Sequence, residues 1–160
     1  LKFKKNMKAF TKLTNLKWLW LSLNYLPPTE SEKLPWGTSL GEQKGVEDMG
    51  ATMRLGACES NLLPGTMAAE LYGGADVISE RHRHRYEFNP DYLDQFRDAG
   101  MIISSTSAKE GLVEIIELSD HPFYLGAQFH PEFQSRPNKP HPLFSGFVKA
   151  ALDAKVTVPA

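Results

Sequence analysis

The sequence predicts an α/β domain, and three observations carry that prediction. Short apolar runs alternate with helix-patterned segments from about residue 52 onward. Gly, Pro, Asn and Asp clusters punctuate them as turns. The composition is that of a folded domain: 160 residues, 41% hydrophobic and 23% charged. A wholly disordered, collagen-like or disulfide-built chain is excluded. The single cysteine makes no internal disulfide and no zinc site built on several cysteines. It predicts a reduced, cytoplasmic protein. The net charge of -1 points to no nucleic-acid or membrane partner.

The charge is unevenly divided. Residues 1–41 carry seven Lys against two Glu, a net of +5, and the remaining residues carry a net of -6. The division near Gly41 predicts an atypical segment and linker over 1–41, a domain over 42–155 and a tail over 156–160. In residues 1–26, Phe3, Met7, Phe10, Leu13, Leu16, Trp20 and Leu23 recur at steps of three or four, the spacing of one helix face. Pro27 and Pro28 would end such a helix. A basic amphipathic helix docks on an anionic membrane or a partner groove, or simply packs on its own domain. The run Trp18–Leu26 is far too short to span a membrane, and no small-residue cleavage site follows it. Residues 27–45, rich in Pro, Gly, Ser, Thr and Glu, read as the linker.

Thr52–Ala57 then reads as a strand stopped by Gly56 and the polar stretch after it. Pro64–Tyr72 reads as a short helix ended by Gly73 and Gly74. Val77–Phe88 reads as one long charged strand. Asn89 and Pro90 open a helix over Asp91–Ala99, which Gly100 closes. Met101–Thr106, Leu112–Leu118 and Phe123–Phe129 read as three strands. A last helix over Pro142–Ala154 should turn Leu143, Phe144, Phe147, Val148, Ala151 and Leu152 inward, and fray from Lys155.

Two stretches can carry chemistry. In Arg81-His82-Arg83-His84-Arg85-Tyr86-Glu87, a strand would put the three arginines on one face and His82, His84 and Tyr86 on the other. Three guanidiniums suit a carboxylate or phosphate. Two histidines at i and i+2 suit a metal. A solvated strand salt-bridged to Glu80 and Glu87 suits the same pattern. In Gln128-Phe129-His130-Pro131-Glu132, a His follows an apolar strand, where α/β sheets often place function. A Glu two residues on can hold that His in one tautomer as a base. A histidine that merely ends a strand before a proline turn fits equally well. Such a pair needs a nucleophile for acyl chemistry. Cys58 is followed by Glu59 and Ser60, with no glycine at the place a Gly-x-Cys-x-Gly elbow requires after the cysteine. It reads as an incidental thiol. No Gly-x-x-x-x-Gly-Lys-Ser/Thr phosphate loop occurs.

Several motifs in order resemble the CTP synthase family. They are Val46–Gly56, the string Glu80–Glu87 (Glu-Arg-His-Arg-His-Arg-Tyr-Glu), Leu112–Glu117, Gln128–Phe133 and Ser135–Ala151. The likeness runs from about Gln43 to Ala151. His-Pro-Glu alone would indicate the wider class of triad glutamine amidotransferases, and the Arg-His-Arg-His-Arg-Tyr string narrows it. The resemblance implies a partial three-layer glutamine amidotransferase domain, made of the C-terminal strands and helices of a mostly parallel sheet. It implies a ligase of pyrimidine biosynthesis that amidates UTP to CTP with ATP, Mg and glutamine, is activated by GTP, and assembles as a homotetramer. It implies that His130 is the base, Glu132 its orienting carboxylate and Arg85 a contact to the substrate glutamine. No metal ligand and no cofactor are expected in this chain itself.

The departures from the family are equally plain. No synthetase domain, glycine-rich oxyanion strand or elbow cysteine is present in these residues, and Gly50-Ala51 stands where the family has Gly-Gly. The expectation is a truncated, inactive chain whose partial sheet exposes an apolar edge. The alternative is a non-catalytic remnant that pairs with full-length CTP synthase.

Overall fold

The structure is a computed structural model that describes residues 19–22, 37–39, 53–84 and 86–156. Its strands are β1 (Leu19–Ser22), β2 (Gly37–Ser39), β3 (Arg54–Leu62), β4 (Val77–His84), β5 (Tyr86–Phe88), β6 (Met101–Ser107), β7 (Val113–Leu118) and β8 (Tyr124–Ala127). Its helices are α1 (Met67–Leu71), α2 (Leu93–Asp98) and α3 (Pro142–Val156), with 3-10 turns at Pro90–Tyr92 and Pro131–Phe133. Six strands form one sheet in the order β1-β8-β7-β6-β3-β4, and β2 pairs separately with β5.

The α/β class is as expected, and both faces of the sheet are covered. On one face α1 and α3 pack over Leu62, Ile78, Ile115, Leu125, Ala127 and Phe129. On the other, α2 contributes Phe96 to a cluster with Phe88, Met101, Val113, Ile116 and Tyr124. Ile115 and Ile116 are nearly fully buried on opposite faces, as neighbours on a central strand must be.

The parallel pairing implied by the family is not what the described strands mainly use. Only β1 with β8 is parallel. The pairs β3–β4, β3–β6, β6–β7 and β7–β8 are antiparallel. Chain connectivity explains much of this. Residues 108–112 and 119–123 join successive strands, and five residues can only turn the chain back, since a parallel neighbour needs a crossover of a dozen or more.

Three element expectations change. Leu19–Ser22 is a strand, not part of a helix, and the rest of residues 1–26 lies outside the described residues. β3 does not stop at Gly56 but runs on to Leu62, because glycine can take the positive φ of +93° found there. The segment Val77–Phe88 is two strands in two sheets, not one.

Local chemistry sets the helix ends. The Thr66 hydroxyl accepts from the Ala69 amide at 3.2 Å and starts α1. Two further bonds add to it, the second of them buried: Met67 N and Ala68 N donate to the Glu117 carboxylate at 2.8 and 3.0 Å. A negative charge at those orphan amides explains one of the two glutamates on fully buried β7. Gly73 and Gly74, both at positive φ, close the helix. On α3, Leu143 is fully buried, but Val148 and Leu152 are 54% and 59% exposed, contrary to the predicted inward face.

Candidate functional site

The site gathers at the C-terminal end of β8. Gln128 and Phe129 are buried, and His130 is the first half-exposed residue after them. Pro131 starts the 3-10 turn, which swings Glu132 back toward the ring. His130 Nδ1 lies 2.7 Å from Glu132 Oε1. A carboxylate only accepts, so Nδ1 carries the proton and Nε2 presents a lone pair. Among the described residues, Nε2 is buried and without a hydrogen-bond partner. Phe133 stacks on the imidazole at 5.1 Å and 20°.

The turn is fastened to β4. The His130 amide donates to the Arg81 carbonyl at 2.8 Å. The Gln134 side-chain amide donates to the Ser79 carbonyl and to Glu80 Oε2, both at 2.9 Å. The other oxygen of Glu80 accepts from Tyr72 OH at 2.7 Å and His141 Nε2 at 2.9 Å. Burial and the neighbouring Glu80 hold the Tyr72 hydroxyl far above its ordinary pKa, so it stays a donor.

The faces of β4 alternate as the sequence predicted. Arg81 and Arg83 are exposed, while Glu80, His82 and His84 are buried. Arg85 lies outside the described residues. The histidines do not present a shared metal position, since His82 Nδ1 is 2.8 Å from His84 Nε2. His84 Nδ1 donates to the Tyr86 carbonyl at 3.0 Å. Its Nε2 therefore accepts from His82 Nδ1, which leaves His82 Nε2 bare, 3.6 Å from Glu114 Oε2.

Arg54 completes this buried group at 2.6 Å from Glu114 and 3.4 Å from Glu87. Burial pushes the Glu114 and Glu87 carboxyls up to about 7, against the opposing pull of Arg54. Burial, with Arg54 next, pushes His82 down to about 3 and His84 down to about 4. Both imidazoles are thus neutral, and a protonated Glu114 suits the bare His82 nitrogen facing it.

Sequence reasoning missed Arg54, Glu114 and the Glu80–Gln134–His141 group. The available signals were a glutamate inside the apolar run Leu112–Leu118, and the period-two alternation that puts Glu80 on the face of His82 and His84. Cys58 sits on β3 opposite Glu80 and is partly buried. No hydrogen bond joins it to His130 among the described residues.

A His–Glu couple on the turn after an α/β strand, with a free ring nitrogen, is an arrangement able to take up and return a proton. A family profile described as "Glutamine amidotransferase class-I" matches residues 31–150, and the chain belongs to that family. Within it the similarity is to CTP synthase. The CTP synthase of a Synechococcus strain is 58% identical over 116 residues, which is 72% of this chain and 21% of that protein. The Rubrobacter xylanophilus CTP synthase is 57% identical over 74% of this chain and 22% of its own length. The solved glutaminase domain of Trypanosoma brucei CTPS, with bound acivicin, matches with a TM-score of 0.62 at 38% identity. That match covers 68% of this chain and 43% of the other. The chain spans about a fifth of the length of the curated relatives it matches.

Proposed function

We propose that this chain supplies the base side of glutamine hydrolysis in a CTP synthase: His130 is the general base, Glu132 its orienting carboxylate, and Arg85 the contact for the glutamine carboxylate. The observation that carries this reading is the 2.7 Å His130–Glu132 bond together with the buried, unpaired Nε2. In the proposed reaction, Nε2 takes the proton of a cysteine thiol, and the thiolate attacks the amide carbon of glutamine. The C–N bond breaks as His130 returns the proton to the leaving nitrogen, giving ammonia and a thioester. Water, activated by the same nitrogen, then releases glutamate. Glu132 stabilises the imidazolium in both halves.

The thiol is not Cys58 in this reading, because Cys58 makes no hydrogen bond to His130. It comes from a Gly-x-Cys-x-Gly elbow outside these residues. The whole enzyme then amidates UTP at the expense of ATP with Mg, under GTP activation, as a cytoplasmic homotetramer. Two assays on that enzyme test the proposal. Replacing His130 with Ala should abolish CTP formation from glutamine and spare CTP formation from free ammonia. Equal loss of both overturns the assignment.

A second reading rests on the same absence of a thiol bonded to His130. The chain is then a non-catalytic remnant that pairs with full-length CTP synthase. Co-purification with that enzyme, without ammonia release of its own, supports this reading, and glutamine hydrolysis by the isolated chain contradicts it.

A further inference from the structure

The Glu132 carboxylate is 54% exposed, and of the turn that carries it only Pro131 is buried, while Phe133 stacks on the His130 ring and not on the sheet's core. An exposed carboxylate on a short surface turn would ordinarily swing among rotamers. The bonds within the turn, Phe133 N to His130 O and Gln134 N to Pro131 O, fix its curvature and not its place on the sheet. Its placement comes from β4. The His130 amide on the Arg81 carbonyl fastens the beginning of the turn, and the Gln134 side chain fastens its end.

Gln134 spends both amide hydrogens on β4, one on the Ser79 carbonyl and one on Glu80 Oε2. Glu80 is 4% exposed in its side chain and is itself held by Tyr72 and His141. The exposed Gln134 thus ends on a buried, immobile acceptor. A hydrogen bond to a charged acceptor is worth more than a neutral one, by roughly a factor of two.

We infer that Gln134, seated on Glu80, is a positioning residue that clamps the 131–134 turn onto β4, so that Glu132 keeps His130 protonated at Nδ1 and bare at Nε2. This rests on the reading of His130 and Glu132 as base and orienting carboxylate. Gln134 touches neither substrate nor reacting atoms, and it acts only through where it puts Glu132. The Gln134 bond to the Ser79 carbonyl and the His130 amide bond to the Arg81 carbonyl together cap two carbonyls of the edge strand β4 that would otherwise stay open to another strand.

The test reads the tautomers of the five histidines in the 160-residue chain by long-range 15N–1H NMR, at about pH 8.5, where an ordinary imidazole is neutral. His84 and His141 are internal standards, since their bonds require Nδ1–H and Nε2–H respectively. Wild-type His130 should show the Nδ1–H form alone. In Gln134→Met, a side chain of similar length without donors, His130 should populate both tautomers while His84 and His141 keep theirs. Gln134→Lys, which restores a donor to Ser79 and Glu80, should return His130 to Nδ1–H. A His130 that keeps a single Nδ1–H form in Gln134→Met overturns the inference, whatever happens to the melting temperature. Equal mixing in the Met and Lys variants overturns it as well. A wild-type His130 in the Nε2–H form would instead overturn the reading of His130 and Glu132 on which the inference rests.

Discussion

Arg54 shows how burial and charge act together on single residues. It is the cation beside two carboxyls, Glu87 and Glu114, whose side chains are 2% exposed or less. Removing it with Arg54→Met leaves them without a counter-ion, and loss of one partner of a buried pair costs about 3–5 kcal/mol. The loss should be larger at pH 8 than at pH 5, because both carboxyls can stay protonated at the lower pH. Urea denaturation at the two pH values checks this. The wild-type chain carries opposing pH terms. The raised Glu87 and Glu114 stabilise most at low pH, below their unfolded value of 4.5, and lose that contribution as pH rises through about 7. The lowered His82 and His84 do the reverse: they stabilise above their unfolded value of 6.5 and lose that contribution as pH falls toward about 4 and 3. The two effects offset between pH 4.5 and 6.5, so this cluster should leave stability nearly level there and falling below it. A monotonic fall in melting temperature from pH 6.5 to 4.5 would contradict the assignment. His130 and Glu132 were legible in the sequence because their couple is local, two residues apart. Arg54 with Glu114 was not, since 60 positions separate them and only strand pairing brings them together. Cys58 is followed by Glu59 and Ser60 in place of an elbow's glycine turn, and Cys58→Ala should leave the chain's ammonia release from glutamine at background.

Among elements, β4 was the most legible. Its charged residues alternate with period two, and the structure buries Glu80, His82 and His84 while exposing Arg81 and Arg83. Its end was not legible, because the break after His84 depends on β5 pairing with β2. The helix face of α3 was over-read for a similar reason. Apolar spacing marks Val148 and Leu152 as inward, but α1 has only five residues against the fifteen of α3, and Val148 and Leu152 stay exposed. The contact between the two helices is close. A Cβ on Gly146 would collide with Leu71 Cδ2, and Phe123 closes in behind at 3.2 Å. Gly146→Leu should therefore lower stability by about 1–3 kcal/mol through overpacking. At the other end of α1, Glu117→Ala would strip acceptors from two amides, one of them buried. A cost of about 1–3 kcal/mol is expected, measurable as a shift in the denaturation midpoint. An unchanged midpoint would remove the capping role of Glu117.

At the scale of the whole molecule, the α/β class was readable from alternation of element types, because each type has its own hydrophobic period. Strand direction was not readable from period, which is the same for parallel and antiparallel strands. Loop length was the better signal, and the five-residue connections 108–112 and 119–123 carry it. Helices on both faces bury β7 completely, and the central strands in turn place His130 at the end of β8. Among the described residues no helix is long and apolar enough to cross a membrane. The central claim is that this chain brings the base and its carboxylate to a glutaminase whose thiol lies elsewhere. The direct measurement is ammonia release from glutamine by the 160-residue chain, and by a longer product that joins it to a segment carrying a Gly-x-Cys-x-Gly elbow. The account predicts background release from the chain alone. It predicts turnover from the longer product that falls about 100-fold or more in His130→Ala, the usual weight of a general base. Hydrolysis by the chain alone, or a longer His130→Ala product within tenfold of wild type, would contradict it.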